Sequence, residues 1–191
     1  MKVVVGLGNP GRQYAGTRHN VGFEVVTELV RRWQAGQPQI KFQSEIHEAV
    51  SGNEKVLLVA PQTFMNRSGE AVQQLAGFYK IPAENIAVIC DDMNLPSGAL
   101  RWRGCGSAGG QKGLADIILR LGTDNVPRLR LGIGRPPGQM DAVNWVLSRF
   151  SESESSDMEL MIQRAADSVA EWVSLGLVSA MNRFNGLAGA D

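Results

Sequence analysis

His19 and Asp91 are the residues on which acid–base chemistry would rest. His19 lies in a polar, aperiodic stretch, RQYAGTRHN (12–20), and Asp91 closes the apolar run NIAVICDD (85–92). Asn9 directly follows another apolar run, KVVVGL (2–7). Open α/β sheets build their sites outside the C-terminal ends of strands, and a carboxylate ending a buried strand needs a partner or water. A histidine base oriented by an aspartate suits these positions. A nucleophile is not evident: no G-x-S-x-G turn occurs, and neither Ser68 nor Cys105 has a setting that marks one. Water is therefore the expected attacking group. His47 alternates with apolar residues and is expected to face solvent. Asn66 precedes a helical stretch and on spacing alone reads as its N-cap, with Phe64 and Met65 as core. Tyr14, in a Gly-flanked loop, either packs on that helix or stacks on a base.

These residues need a scaffold, and the hydrophobic pattern supplies one. Strands are expected at 2–7, 45–52, 55–61, 85–92, 98–104 and 129–134, the pair around Gly52-Asn53-Glu54 forming a hairpin. Helices are expected from Asn20 to about Trp33, from about Asn66 to Tyr79, and over 114–121, 140–150 and 155–176. The alternation predicts an α/β fold: a single domain over 1–191 with a twisted mixed β-sheet flanked by helices.

Composition fits that reading. The chain has 191 residues, enough for one domain with a substantial core, and 43% of them are hydrophobic. Disorder, collagen and coiled coil are excluded. The two cysteines, Cys90 and Cys105, make neither a disulfide framework nor a zinc cluster, so a reducing, cytoplasmic setting is expected. The start, MKVVVGLGNPG, is too short in apolar residues for a signal peptide, so the chain is expected to open on its first strand. No run approaches a membrane span.

Lys plus Arg (19) balance Asp plus Glu (19), yet charge is segregated. Arg101, Arg103, Lys112, Arg120, Arg128, Arg130 and Arg135 face only Asp116 and Asp124 between 100 and 135, whereas 151–172 is acidic. The pattern reads either as solvated surface or as a phosphate-binding face beside the Gly-rich loop GCGSAGGQKG (104–113). Two G-x-G-x-x-G matches, at 6–11 and 104–109, lack the strand-to-helix turn and downstream acid of a dinucleotide site. Their glycines are expected to serve tight turns and close backbone approach.

In order and spacing, VGLGNPGRQYAGTRHNVGF, PQTFMNRSGEAV, DDMNLPSG, GSAGGQKGL and RLRLGIGRP resemble the bacterial peptidyl-tRNA hydrolase family over nearly the whole chain. The resemblance implies a monomer without metal or cofactor that hydrolyses the ester joining a peptide to the 3′ end of tRNA. It implies that His19 is the base, that Asp91 holds its imidazole, and that Asn9 selects N-blocked substrates. It makes Tyr14, Phe64 and Asn66 substrate contacts. Two positions depart from the family pattern: Gln111-Lys112 stand where it reads His-Asn, and Asn94 stands where it often has Asp. Lysine accepts no hydrogen bond but can grip a phosphate as a point charge. Two rivals stay open, an inactive RNA-binding relative of the same fold and a cofactor-dependent oxidoreductase.

Overall fold

The computed structural model describes residues 1–186. In chain order its strands are β1 (Lys2–Gly6), β2 (Gln39–Lys41), β3 (Ser44–Ser51), β4 (Glu54–Pro61), β5 (Ile86–Asp92), β6 (Leu100–Arg103) and β7 (Arg128–Gly132). The helices are α1 (Val21–Arg32), α2 (Ser68–Tyr79), α3 (Lys112–Leu121), α4 (Ala142–Leu147), α5 (Glu152–Leu175) and α6 (Leu177–Phe184).

The strands form one mixed sheet in the order β2-β3-β4-β1-β5-β7-β6. β4, β1, β5 and β7 run parallel at its centre, while β2, β3 and β6 pair antiparallel at the flanks. Covered on both faces, the central strands can be apolar at every position, and all seven residues of β5 are buried. Alternation along each strand then feeds two cores. Val4 and Ile89 pack with α1 and α5, whereas Val3, Val5 and Val88 pack with α2 and α3.

The structure departs from the sequence reading in several places. The stretch 12–20 is not featureless: it contains 3-10 turns at Arg12–Tyr14 and Arg18–Asn20, and α1 starts only at Val21. Strand β2 was not expected, because its three residues are all exposed at the sheet edge and carry no burial pattern. Helix α6 also went unforeseen: Gly176, with φ 88°, ends α5, yet the chain resumes as a helix at once. His47 does not face solvent. The loop after α1 folds over it, and its Nδ1 lies 2.8 Å from the Gly36 carbonyl while Nε2 lies 3.2 Å from Glu45 Oε1.

Candidate active site

The site is set by how closely the start of α1 approaches two strand ends. A Cβ on Gly22 would stand 2.5 Å from the Ile89 carbonyl oxygen and the Leu7 nitrogen, and one on Gly6 would stand 2.2 Å from the Gly22 carbonyl oxygen. Only glycine allows that contact. Gly6, in the first glycine-rich match, thus serves packing, as expected.

With α1 pressed there, the turn Arg18–Asn20 delivers His19 to the end of β5. Its Nδ1 lies 2.8 Å from Asp91 Oδ2, with side-chain exposures of 15% and 4%. Because the carboxylate accepts, the neutral ring carries its proton on Nδ1 and offers a bare Nε2 lone pair. Nε2 has no partner among the described residues. The other carboxylate oxygen, Asp91 Oδ1, accepts from Gln111 Nε2 at 3.1 Å.

Asn9 is held at three atoms. Its backbone N–H donates to Asn20 Oδ1 (2.9 Å), its carbonyl accepts from Asn20 Nδ2 (3.0 Å), and its Oδ1 accepts the Met65 N–H at 2.8 Å. The Met65 donor fixes which end of the amide is which. Asn9 Nδ2 is left with two N–H groups and no partner among the described residues.

The bond to Met65 also registers the loop that carries Phe64 and Asn66. Asn66 is not an N-cap: it sits exposed in the 3-10 turn Met65–Arg67, and α2 has no side-chain cap from its own N-cap residue. An α2 N-terminal amide, that of Gly69, is satisfied instead by Asp116 Oδ2 of α3 at 2.8 Å. Met65 is core, as expected, but Phe64 is 56% exposed.

Asn9, His19, Phe64, Asn66 and Asp91 line one cleft of about 390 Å³. Met93, with Val143, Val146 and Leu147 from α4, also lines it, as do Gln111, Lys112 and Arg130. Tyr14 does not line it; it lies half-exposed in the turn Arg12–Tyr14. Asn94 is exposed, and its N–H bonds Asp92 Oδ1 at 2.8 Å. The stretch 140–150 was expected only as a helix, and nothing in its sequence marks α4 as lining the cleft. The sequence likewise had no signal for the bond between Gln111 and Asp91.

Beyond the cleft lies the basic face. Arg101 is in register with Arg130 and Arg103 with Arg128, so all four leave one side of the β6–β7 pair. Arg128 is buried, donates to the carbonyls of Gly106 (2.8 Å) and Asp124 (3.0 Å), and has its pKa lowered by that burial. It props the Gly-rich loop, and Arg130 pairs with Asp92 at 2.9 Å.

Behind His19, buried Arg18 holds α4 in place. Its guanidinium bonds both oxygens of Glu154 at 2.8 Å and stacks on Trp145, 3.7 Å from the ring centroid. The bond to Arg18 is the main reason the Glu154 carboxyl is held down at about 2.

An oriented imidazole and free amide donors at the ends of parallel strands give an α/β protein whose cleft holds the groups that general-base chemistry uses. Comparison with known proteins narrows the class. Residues 3–190 match the model of the family described as Peptidyl-tRNA hydrolase. The peptidyl-tRNA hydrolase of Rhodopirellula baltica is 51% identical over 189 residues, 99% of this chain and 100% of that one. That of Chloroflexus aggregans is 50% identical over 188 residues, 98% and 100% of the two chains. The crystal structure of peptidyl-tRNA hydrolase from Acinetobacter baumannii matches with a TM-score of 0.89 at 34% identity, covering 97% of this chain and 96% of that one. The chain belongs to the peptidyl-tRNA hydrolase family.

Proposed function

We propose that this protein hydrolyses the ester linking a peptide to the 3′ end of tRNA, with His19 as general base. The carrying observation is the His19–Asp91 contact of 2.8 Å in an open cleft beside the basic face. Water attacks the ester carbonyl as its proton passes to His19 Nε2. Asp91 stabilises the imidazolium that forms, and amide N–H groups of Asn9 or Asn66 donate to the oxyanion. Collapse expels the terminal ribose oxygen, which takes the proton back from His19. An ester is reactive enough that an oriented base, contributing about 10²- to 10⁴-fold, carries the reaction without a covalent intermediate.

The orientation of Asn9 supports selection of N-blocked substrates. A donor at Nδ2 can bond the carbonyl of a preceding peptide unit, whereas a free ammonium would set donor against donor. Lys112, Arg101, Arg103 and Arg130 are the groups that would meet tRNA phosphates, while buried Arg128 props the loop beside them. Tyr14, which is outside the cleft, is proposed to contact the tRNA rather than the peptide. We further propose that the protein is a monomeric single domain over 1–191 that works in the cytoplasm; none of its described helices is long and apolar enough to cross a membrane.

The test is single-turnover cleavage of N-acetyl-aminoacyl-tRNA and of the same aminoacyl-tRNA with a free amine. Wild type is expected to cleave only the blocked substrate, and His19→Ala to lose about 10²- to 10⁴-fold. Wild type that binds tRNA and cleaves neither would make it a tRNA-binding relative instead.

A further inference from the structure

We infer that Gln111 is a positioning residue for the base, holding the Asp91 carboxylate so that His19 keeps Nε2 turned to the cleft; this rests on His19 being the base. Gln111 is 8% exposed and spends both ends of its amide on fixed partners. Oε1 accepts the Leu114 N–H at 2.8 Å, capping the first turn of α3. A backbone N–H can only donate, so the amide has one orientation and Nε2 must face Asp91 Oδ1, 3.1 Å away. The second Nε2 hydrogen points to Met65 Sδ at 3.3 Å, and Met65 is the residue whose N–H orients Asn9. One buried amide thus touches both arms of the site.

The geometry gives Gln111 two separable tasks. As a cap it satisfies a helix N-terminal N–H. As a donor it satisfies the carboxylate oxygen that His19 does not use, leaving Asp91 one rotamer and one oxygen for the imidazole. The other charged groups near the ring are spoken for or set back. Asp92 is paired with Arg130, Arg18 turns away to Glu154, and Lys112 is exposed on α3.

Gln111→Glu separates the tasks, since it keeps an acceptor for Leu114 and replaces the donor with an anion against Asp91. An added negative charge stabilises the imidazolium, so the His19 titration must move to higher pH. Because the chain has two histidines, NMR titration of the imidazoles reads His19 with His47 as internal control. We expect the His19 titration to rise by about half a unit or more with His47 unmoved. We expect kcat at neutral pH to fall roughly tenfold or more, KM to stay within about twofold, and the acidic limb of kcat to follow His19. Gln111→Met, which removes both bonds without adding charge, should lower kcat with KM unchanged and leave the limb where it is or lower.

A normal His19 titration and wild-type kcat in Gln111→Glu would reduce Gln111 to a helix cap and overturn the inference. Should that variant not fold, the kcat–KM split of Gln111→Met decides instead, and an unchanged kcat overturns it equally. The two readings fail differently. If wild type does not cleave N-acetyl-aminoacyl-tRNA, the proposed function falls, whereas the NMR titration still reports whether Gln111, Asp91 and His19 are coupled.

Discussion

Asp91→Asn should do more than remove a charge, because Gln111 dictates which way the new amide turns. Gln111 presents a donor to position 91, so the substituted side chain must offer its oxygen there and its NH2 to His19. An NH2 facing Nδ1 forces the proton onto Nε2, the tautomer that cannot accept from water. Reversing the amide restores the tautomer but sets it donor to donor against Gln111. An unsatisfied buried donor costs about 1–3 kcal/mol, or roughly 5- to 150-fold in the productive population. Loss of the carboxylate beside the forming imidazolium adds about tenfold more. Single-turnover cleavage of N-acetyl-aminoacyl-tRNA at saturating enzyme should therefore fall about 10²- to 10³-fold, less than in His19→Ala. The same reasoning makes Asp91→Asn/Gln111→Glu faster than Asp91→Asn alone, since an acceptor at 111 lets the new amide turn its oxygen to His19. Recovery of about tenfold is expected. A double variant no faster than Asp91→Asn, or a single variant within tenfold of wild type, would refute the account.

Lys112→Asn should weaken tRNA binding and reduce the slope of log affinity against log salt by about one, if Lys112 meets one phosphate. An unchanged KM and salt slope would remove Lys112 from the tRNA contacts. Gly22→Ala places a methyl 2.5 Å from backbone atoms of Leu7 and Ile89, so overpacking of about 1–3 kcal/mol should lower the melting temperature by roughly 2–12 °C. A melting temperature within a degree of wild type would mean that α1 can back away from the strands. Glu154, held at about 2 chiefly by Arg18, contributes stability that is full above the unfolded carboxylate pKa of about 4.3 and lost as pH falls toward 2. Its side chain is 30% exposed, so Glu154→Gln should cost only about 1 kcal/mol at pH 7, with the gap closing between about pH 5 and 2; a pH-independent gap in thermal melts would contradict the pairing.

The central sheet was legible because burial on both faces leaves a mark that short-range reading can see. β1, β4 and β5 carry nearly unbroken apolar runs, ended by a glycine, a proline and two aspartates respectively. Strand β2 exists only because the turn at Phe42 and Gln43, both at positive φ, brings Gln39–Lys41 beside β3. The place of His19 and Asp91 followed from the rule about strand ends, but their contact depends on Gly22 meeting the backbone of Leu7 and Ile89. Asn66 was misread on spacing because the group that satisfies an α2 N-terminal amide, Asp116, lies 47 residues from Gly69. The bond from Gln111 to Asp91 is equally invisible locally, since it joins a helix cap to a strand end 20 residues earlier.

The adjacent carboxylates at the end of β5 keep the proposed base and the proposed phosphate face apart on one strand. Alternation turns neighbouring side chains to opposite faces. Asp91 leaves toward the start of α1 and receives donors from His19 and Gln111. Asp92 leaves on the face it shares with Arg130 and takes that guanidinium at 2.9 Å, with the Asn94 N–H on its other oxygen at 2.8 Å. Had the guanidinium reached Asp91, it would compete with the imidazolium for the same charge and weaken the orientation of the base. Asp92 therefore takes the arginine one residue away from the carboxylate that holds His19. Positive potential for a polyanion and an undisturbed carboxylate for His19 can then coexist within one strand end, which a site hydrolysing an ester on tRNA needs.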